Sequence, residues 1–354
     1  YEAFSCCTGL KNIELPESVV VIGENAFSEC RNLTSIKLSK NVELIGIGAF
    51  SGCTGLTSMT VDEKNPIFDS RLDCNAIIET KSNKLISGCK KTKIPDSVTS
   101  IESYAFSKCY SLTDLVIPNC VTSIKSYAFN ECTGLTSIEI PDSVTSIGDS
   151  AFKGCKSLTN IEIPDSVTSI GNSAFENCTR LKSIGIPNSL KSIGKIAFRN
   201  CTSLTNVYYK GTVENWCNIS FLGGSESNPM CHKGYFYMMD ENNKYKEVTE
   251  IVIPETITKI GDYQFYGFNN VKNINIPNTV TSIGNYAFDG CKSLTNIEIP
   301  NGVTSIGYFA FCGCANLTNI EIPDGVTSIG YSAFMGCTSL KTIKIPNGVT
   351  SIGY

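Results

Sequence analysis

The stretch IPDSVTSIGDSAFKGCKSLTNIEIP, residues 140–164, decides the fold. Near its end Ile161 and Ile163 alternate with Asn160 and Glu162, the period of a strand with one face buried and one wet. Pro164 closes that strand, because proline has no N–H for a ladder. Leu158, Ile161 and Ile163 together give an L-x-x-L-x-L spacing. Reading on, Val167 and Ile170 mark a second short apolar segment, and Gly171 stands where a positive-φ turn is expected. Ala174 and Phe175 then return the chain to the interior. From Phe152 to Phe175 this cycle takes 23 residues, too few for a long helix beside a strand and two turns.

The cycle recurs. Phe4, Phe27 and Phe50 are 23 apart, as are Phe106, Phe129, Phe152, Phe175 and Phe198, and again Phe265, Phe288, Phe311 and Phe334. Two irregular gaps, of 56 and 67 residues (106 − 50 and 265 − 198), interrupt the series. A single coil cannot bury its own apolar side. Stacked coils can, and stacking also pairs each strand with its successor. The expected fold is therefore a mainly β solenoid of short parallel strands, about 14 coils of 23 residues in a curved, right-handed array.

Composition agrees. The chain has 354 residues, 42% hydrophobic and 18% charged, with a net charge of −4. Disordered chains combine low apolar content with high charge, which this one does not. No apolar run reaches the ~20 residues of a membrane-spanning helix. No basic segment followed by an apolar one marks a signal peptide. The chain starts and stops inside a repeat and so reads as a fragment of a longer protein, whose export signal and anchor would lie outside it. Mild acidity without a Lys/Arg cluster argues against nucleic acid as a partner.

Of 18 cysteines, eleven sit three residues after the repeat phenylalanine, as Cys155 follows Phe152. Phe268 takes that slot once, so the slot is apolar. A disulfide ladder would need the same special geometry at every rung. A zinc column would need paired cysteines or histidines. The pattern favours buried thiols acting as small hydrophobes, in a reducing or anaerobic setting. With one His in the chain, any triad would have to use His232, and its adjacency to Cys231 does not supply dyad geometry. Phosphate loops, nucleophile elbows and H-E-x-x-H are missing. No catalytic residue, cofactor or metal ligand is assigned.

Segments such as 140–164, and the insertion CNAIIETKSNKLISGC at 74–89, resemble the BspA-like, Treponema-type leucine-rich repeats over nearly the whole chain. The resemblance implies an extracellular or cell-surface protein, mostly bacterial and sometimes protozoan, associated with adhesion to host matrix proteins or to other cells. It implies no shared active site.

The reading gives one repeat domain over 1–354: regular coils at 1–60, a hairpin-bearing insertion at 61–93, regular coils at 94–207, irregular coils at 208–247 and regular coils at 248–354. In the insertion, Ala76-Ile77-Ile78 and Leu85-Ile86 flank Lys81-Ser82-Asn83, a hairpin pattern expected to decorate one coil laterally. The second irregular stretch gathers aromatics. Tyr208, Tyr209, Trp216, Tyr235 and Tyr237 are candidate ligand contacts, since such rings combine apolar area with a polar tip. The competing reading is that they fill a core the regular repeat leaves open.

Exposed positions form columns. One carries Glu139 and Glu162, and later Glu298 and Glu321, as like-charge neighbours that either attract a partner or face solvent. Another column, before the repeat phenylalanine, carries Tyr263, Tyr286 and Phe309, and beside it Tyr308, Tyr331 and Tyr354. A wide polar sheet suits a protein or glycan partner and offers no deep pocket. The leading expectation is a non-enzymatic adhesion or protein-binding module; the alternatives are a structural spacer or stalk, and an enzyme built on His232.

Overall fold

The computed structural model describes residues 1–232 and 234–353. The chain winds as a β-solenoid of about 14 turns, about 23 residues per turn, with parallel strands. It divides into two compact units, residues 1–181 with 197–202, and residues 182–196 with 203–354.

The regular coil of the first unit shows how the sequence makes the winding. The strand Asn160–Glu162 buries Ile161 and exposes its two neighbours, as alternation demands. The second strand, Ser169–Ile170, pairs in parallel with Ser146–Ile147, one period earlier. In the turn that follows, the Phe129 N–H donates to the Ala151 carbonyl of the next coil at 2.8 Å, and Phe152 does the same to Ala174. The phenylalanine rings consequently stack at strand spacing, 5.3 Å from Phe129 to Phe152 and 5.6 Å from Phe152 to Phe175, with nearly parallel planes. All three rings are fully buried.

The cysteines of the column form no disulfide with one another, and the slot asks for more than an apolar side chain. Cys155 Sγ donates to the Phe129 carbonyl at 3.2 Å and Cys178 Sγ to Phe152 at 3.1 Å. Each of these carbonyls already accepts the N–H of its own turn, so the thiol supplies a second donor from the next coil. Burial in this column pushes the Cys178 thiol up to about 12.

Each turn places two residues in the left-handed region, Ser150 and Gly154 in one coil, Ser173 and Asn177 in the next. Gly171 is not among them, contrary to the expected positive-φ role. Its requirement is space. A Cβ there would lie 2.5 Å from the Asp149 backbone nitrogen of the coil before.

The insertion in the first unit is structural. Ala76–Glu79 and Lys84–Gly88 form the antiparallel hairpin, and Phe68–Asp69 adds a third antiparallel strand. It does not decorate the coil laterally. Lys84 and Leu85 pair in parallel with Ser100 and Ile101, so the hairpin supplies a rung of the stack. Ala76, Ile77, Ile78 and Leu85 have no exposed surface. The phenylalanine turn is what the insertion lacks, and the Gly52 N–H reaches directly to the Ser107 carbonyl at 3.1 Å. Gly88 stands against Phe106, where a Cβ would be 2.2 Å from the ring. Asn65 ties the entry down: its amide donates to the Ser39 and Val42 carbonyls, and its oxygen accepts from the Ile67 and Phe68 N–H groups.

In the second unit the regular coils at 250–352 repeat the same arrangement, with Phe265, Phe288, Phe311 and Phe334 stacked 5.2–5.6 Å apart. The irregular stretch contains the five-residue helix Val213–Cys217, started by Thr212, whose hydroxyl accepts from the Asn215 N–H. Among the described residues no helix is long and apolar enough to cross a membrane.

Candidate functional site

The aromatic group is divided by strand alternation. Ser183–Ile186, Asn206–Tyr209 and Tyr235–Met239 lie in parallel in the second unit, and Tyr245–Glu247 closes that sheet antiparallel to the last of them. The register aligns Gly185, Tyr208, Tyr237 and Glu247 across the sheet. Residues one step away, Val207, Tyr209 and Phe236, point into the core.

Two candidate contacts are therefore corrected. Tyr209 and Trp216 are buried, 0% and 1% exposed, and no ligand reaches them. Trp216 packs edge-on against Tyr209 at 5.1 Å, Phe236 at 4.7 Å and Phe268 at 5.7 Å. Its indole N–H donates to the Gln264 carbonyl at 2.9 Å, and the Gln264 amide donates back to the Trp216 carbonyl. Gln264 occupies the position that is alanine in a regular coil, so the exchange replaces a small residue by a clamp. These rings fill the space the irregular coils leave, which is the competing reading of the aromatic cluster.

Tyr208, Tyr235 and Tyr237 lie on the outer face. The Tyr208 ring stacks on Tyr237 at 4.9 Å and meets Tyr245 at 4.9 Å. Tyr235, beside them, is 49% exposed. Partial burial, then the nearby Glu247 carboxylate, raise the Tyr237 phenol above its ordinary value, so it stays a neutral donor at physiological pH. Glu247 is itself held by the Asn270 amide at 2.9 Å. Tyr208 and Tyr237 thus present braced rings on the outer face, while the Tyr245 ring supports them with its hydroxyl buried. Tyr245, which sequence reasoning did not single out, braces Tyr208 from the edge strand; its signal is the Tyr245-Lys246-Glu247 alternation.

The glutamates stay on the surface. Glu139, Glu162, Glu298 and Glu321 are all exposed. Asn296 pairs with Asn319, which puts Glu298 beside Glu321 two residues on, and Glu321 also faces Lys344. The opposite charge relieves the like-charge contact. Among the described residues no group of three or more His, Cys, Asp or Glu could hold a metal ion. Cys231 and His232 close the short turn Pro229–His232, both half-buried.

The family described as BspA-type leucine-rich repeat region, in six copies, matches residues 1–97, 77–141, 99–227 and 240–354. The crystal structure of a leucine-rich repeat protein from Bacteroides ovatus aligns with 95% of this chain and 87% of its own, at 24% identity and a TM-score of 0.55. That of a leucine-rich cell surface protein from Faecalibacterium prausnitzii covers the same shares at 27% identity and a TM-score of 0.50. The pneumococcal vaccine antigen PcpA aligns with 66% of this chain and 63% of its own, at 24% identity and a TM-score of 0.52. No curated protein matches.

Proposed function

Because the chain belongs to the BspA-type leucine-rich repeat family, we propose that it is a non-enzymatic, protein-binding adhesion module displayed at a cell surface or secreted. The Faecalibacterium protein of the same fold is described as a cell surface protein, which supports that location. The observation that carries the reading is the outward tyrosine patch of Tyr208, Tyr235 and Tyr237, in which the Tyr208 ring is braced by Tyr237 and Tyr245 on a rigid sheet. Tyrosine contributes contact area at low entropic cost, and a ladder that is already ordered loses little more on binding. The partner is a host matrix or cell-surface protein.

The test is binding of the chain to immobilised fibronectin, laminin and type I collagen. Replacing Tyr208 and Tyr237 together by Ser should weaken the bound pair by about ten-fold or more while the melting temperature holds. Absence of binding to all three, or binding indifferent to these substitutions, overturns the reading.

A further inference from the structure

The second unit carries a groove that the tyrosine patch does not use. Its volume is about 780 Å³, and it runs along the coils between residues 262 and 353. The floor is the column Ser282, Ser305 and Ser328, half-exposed and one coil apart. The rim is the position after the repeat glycine, which changes along the groove from Asp262 through Asn285 to Tyr308 and Tyr331. Tyr308 is 57% exposed and Tyr331 46%, whereas the neighbouring Tyr263, Tyr286 and Phe309 stack on one another at 4.8–4.9 Å and are half-buried. Of the other aromatic triplet noted in the sequence, Tyr354 lies outside the described residues.

We propose that this groove binds a neutral, extended β-1,4-linked glycan, with Tyr308 and Tyr331 as stacking platforms for its sugar rings. Three observations choose that ligand. The rings are presented, not packed: Tyr331 is braced edge-on by Phe309 at 5.2 Å, and Tyr308 makes no aromatic contact among the described residues. An exposed phenol offers an apolar face to the C–H side of a pyranose and a hydroxyl to its edge. The groove lining includes no Lys or Arg and does include Asp262, so an anionic polymer finds no counter-charge and one repulsion.

An extended peptide is disfavoured by the floor itself. Peptides that lie along sheets do so by pairing with a free strand edge. Here Ser282–Ile283, Ser305–Ile306 and Ser328–Ile329 already pair with the strands before and after them. What the floor offers instead is a row of serine hydroxyls at ~4.8 Å strand spacing, about one sugar residue of an extended chain. The rim is set in advance: Asn285 accepts the Tyr308 N–H at 2.8 Å, and its own N–H donates to Asp262 at 2.7 Å.

The experiment is calorimetric titration of the chain with cellohexaose, mannohexaose and xylohexaose, with hexagalacturonate as the anionic comparison and gelatin as the peptide one. Saturable binding of at least one neutral hexamer is expected, with hexagalacturonate weaker. Tyr308→Ala and Tyr331→Ala should each reduce that affinity about ten-fold. Tyr308→Phe, which keeps the platform, should retain most of it, and Lys344→Ala, exposed on the strand Thr342–Lys344 and outside the groove lining, should leave it unchanged. Both groove tyrosines are exposed, so melting temperatures should stay within the wild-type range. Failure of all three neutral hexamers to bind, preference for gelatin or hexagalacturonate, or binding unaffected by the two alanine variants would overturn the proposal.

Discussion

At the residue scale, the most informative positions are those where side-chain chemistry and backbone conformation disagree. Ile196 has φ +50°, a region that costs an L-residue roughly 1–2 kcal/mol, and β-branching adds crowding. Ile196→Gly should therefore raise stability by about 1 kcal/mol in denaturant titration. Tyr209 has a buried hydroxyl with no hydrogen-bond partner among the described residues. Tyr209→Phe removes that orphan and should leave stability unchanged or slightly higher, while Trp216→Ala should cost about 3–5 kcal/mol.

The cysteines divide by exposure. Burial, joined by neighbouring charges, pushes Cys53 and Cys109 up to about 12, so neither is a thiolate at neutral pH. Iodoacetamide on the native protein, read by mass spectrometry, should modify the exposed Cys6, Cys7 and Cys120 first and leave the buried members of the column, such as Cys155 and Cys178, untouched until unfolding.

Glu176 gives a pH signature. Burial raises its pKa, but donors on Lys153, Ser173 and Arg199 outweigh that and hold it below the usual carboxylate value. A carboxyl whose folded pKa lies below its unfolded one stabilises fully above the unfolded value, about 4.3. That contribution is lost as pH falls through the lower folded value. Glu176→Gln should be less stable than wild type at pH 7, and the difference should shrink toward pH 3 in paired thermal melts.

At the scale of the element, much was legible and the gaps have physical causes. The period, the core positions and the exposed columns follow from alternation along 140–164, because each neighbour repeats the same constraint. The role of Gly171 was misread, since glycine in a sequence marks a need for freedom or a need for space without saying which. Here Ser173 and Asn177 take the left-handed turns and Gly171 takes the close approach. The hairpin at 76–88 was visible, but whether it lay beside the coil or within it depends on long-range pairing of Lys84 and Leu85 with Ser100 and Ile101. The aromatic cluster was found as composition, and only the register separates Tyr208 from Tyr209. Gly88→Ala should cost more than an ordinary strand Gly→Ala change, because Phe106 leaves no room. Chemical denaturation of this variant beside Gly9→Ala, where nothing is near, checks the point.

For the whole molecule, stability is distributed along the windings, each tied chiefly to its neighbours. Phe152→Ala should cost roughly 3–5 kcal/mol. Its effect should be local: hydrogen exchange should accelerate from Phe129 to Phe175 and stay slow around Phe288 and Phe311. Uniform acceleration across the chain would contradict this.

The ladder of threonine hydroxyls carries one more consequence. Thr281 donates to Thr258, Thr304 to Thr281 and Thr327 to Thr304, each to the carbonyl 23 residues earlier. Because these seams have the same partners, excising residues 289–311 joins Phe288 to Cys312 as Phe311 is joined now, and the truncated chain should still melt cooperatively. Unequal recombination within such a gene then yields folded products whenever it moves by whole units, so lineages can lengthen or shorten the array while each seam stays intact.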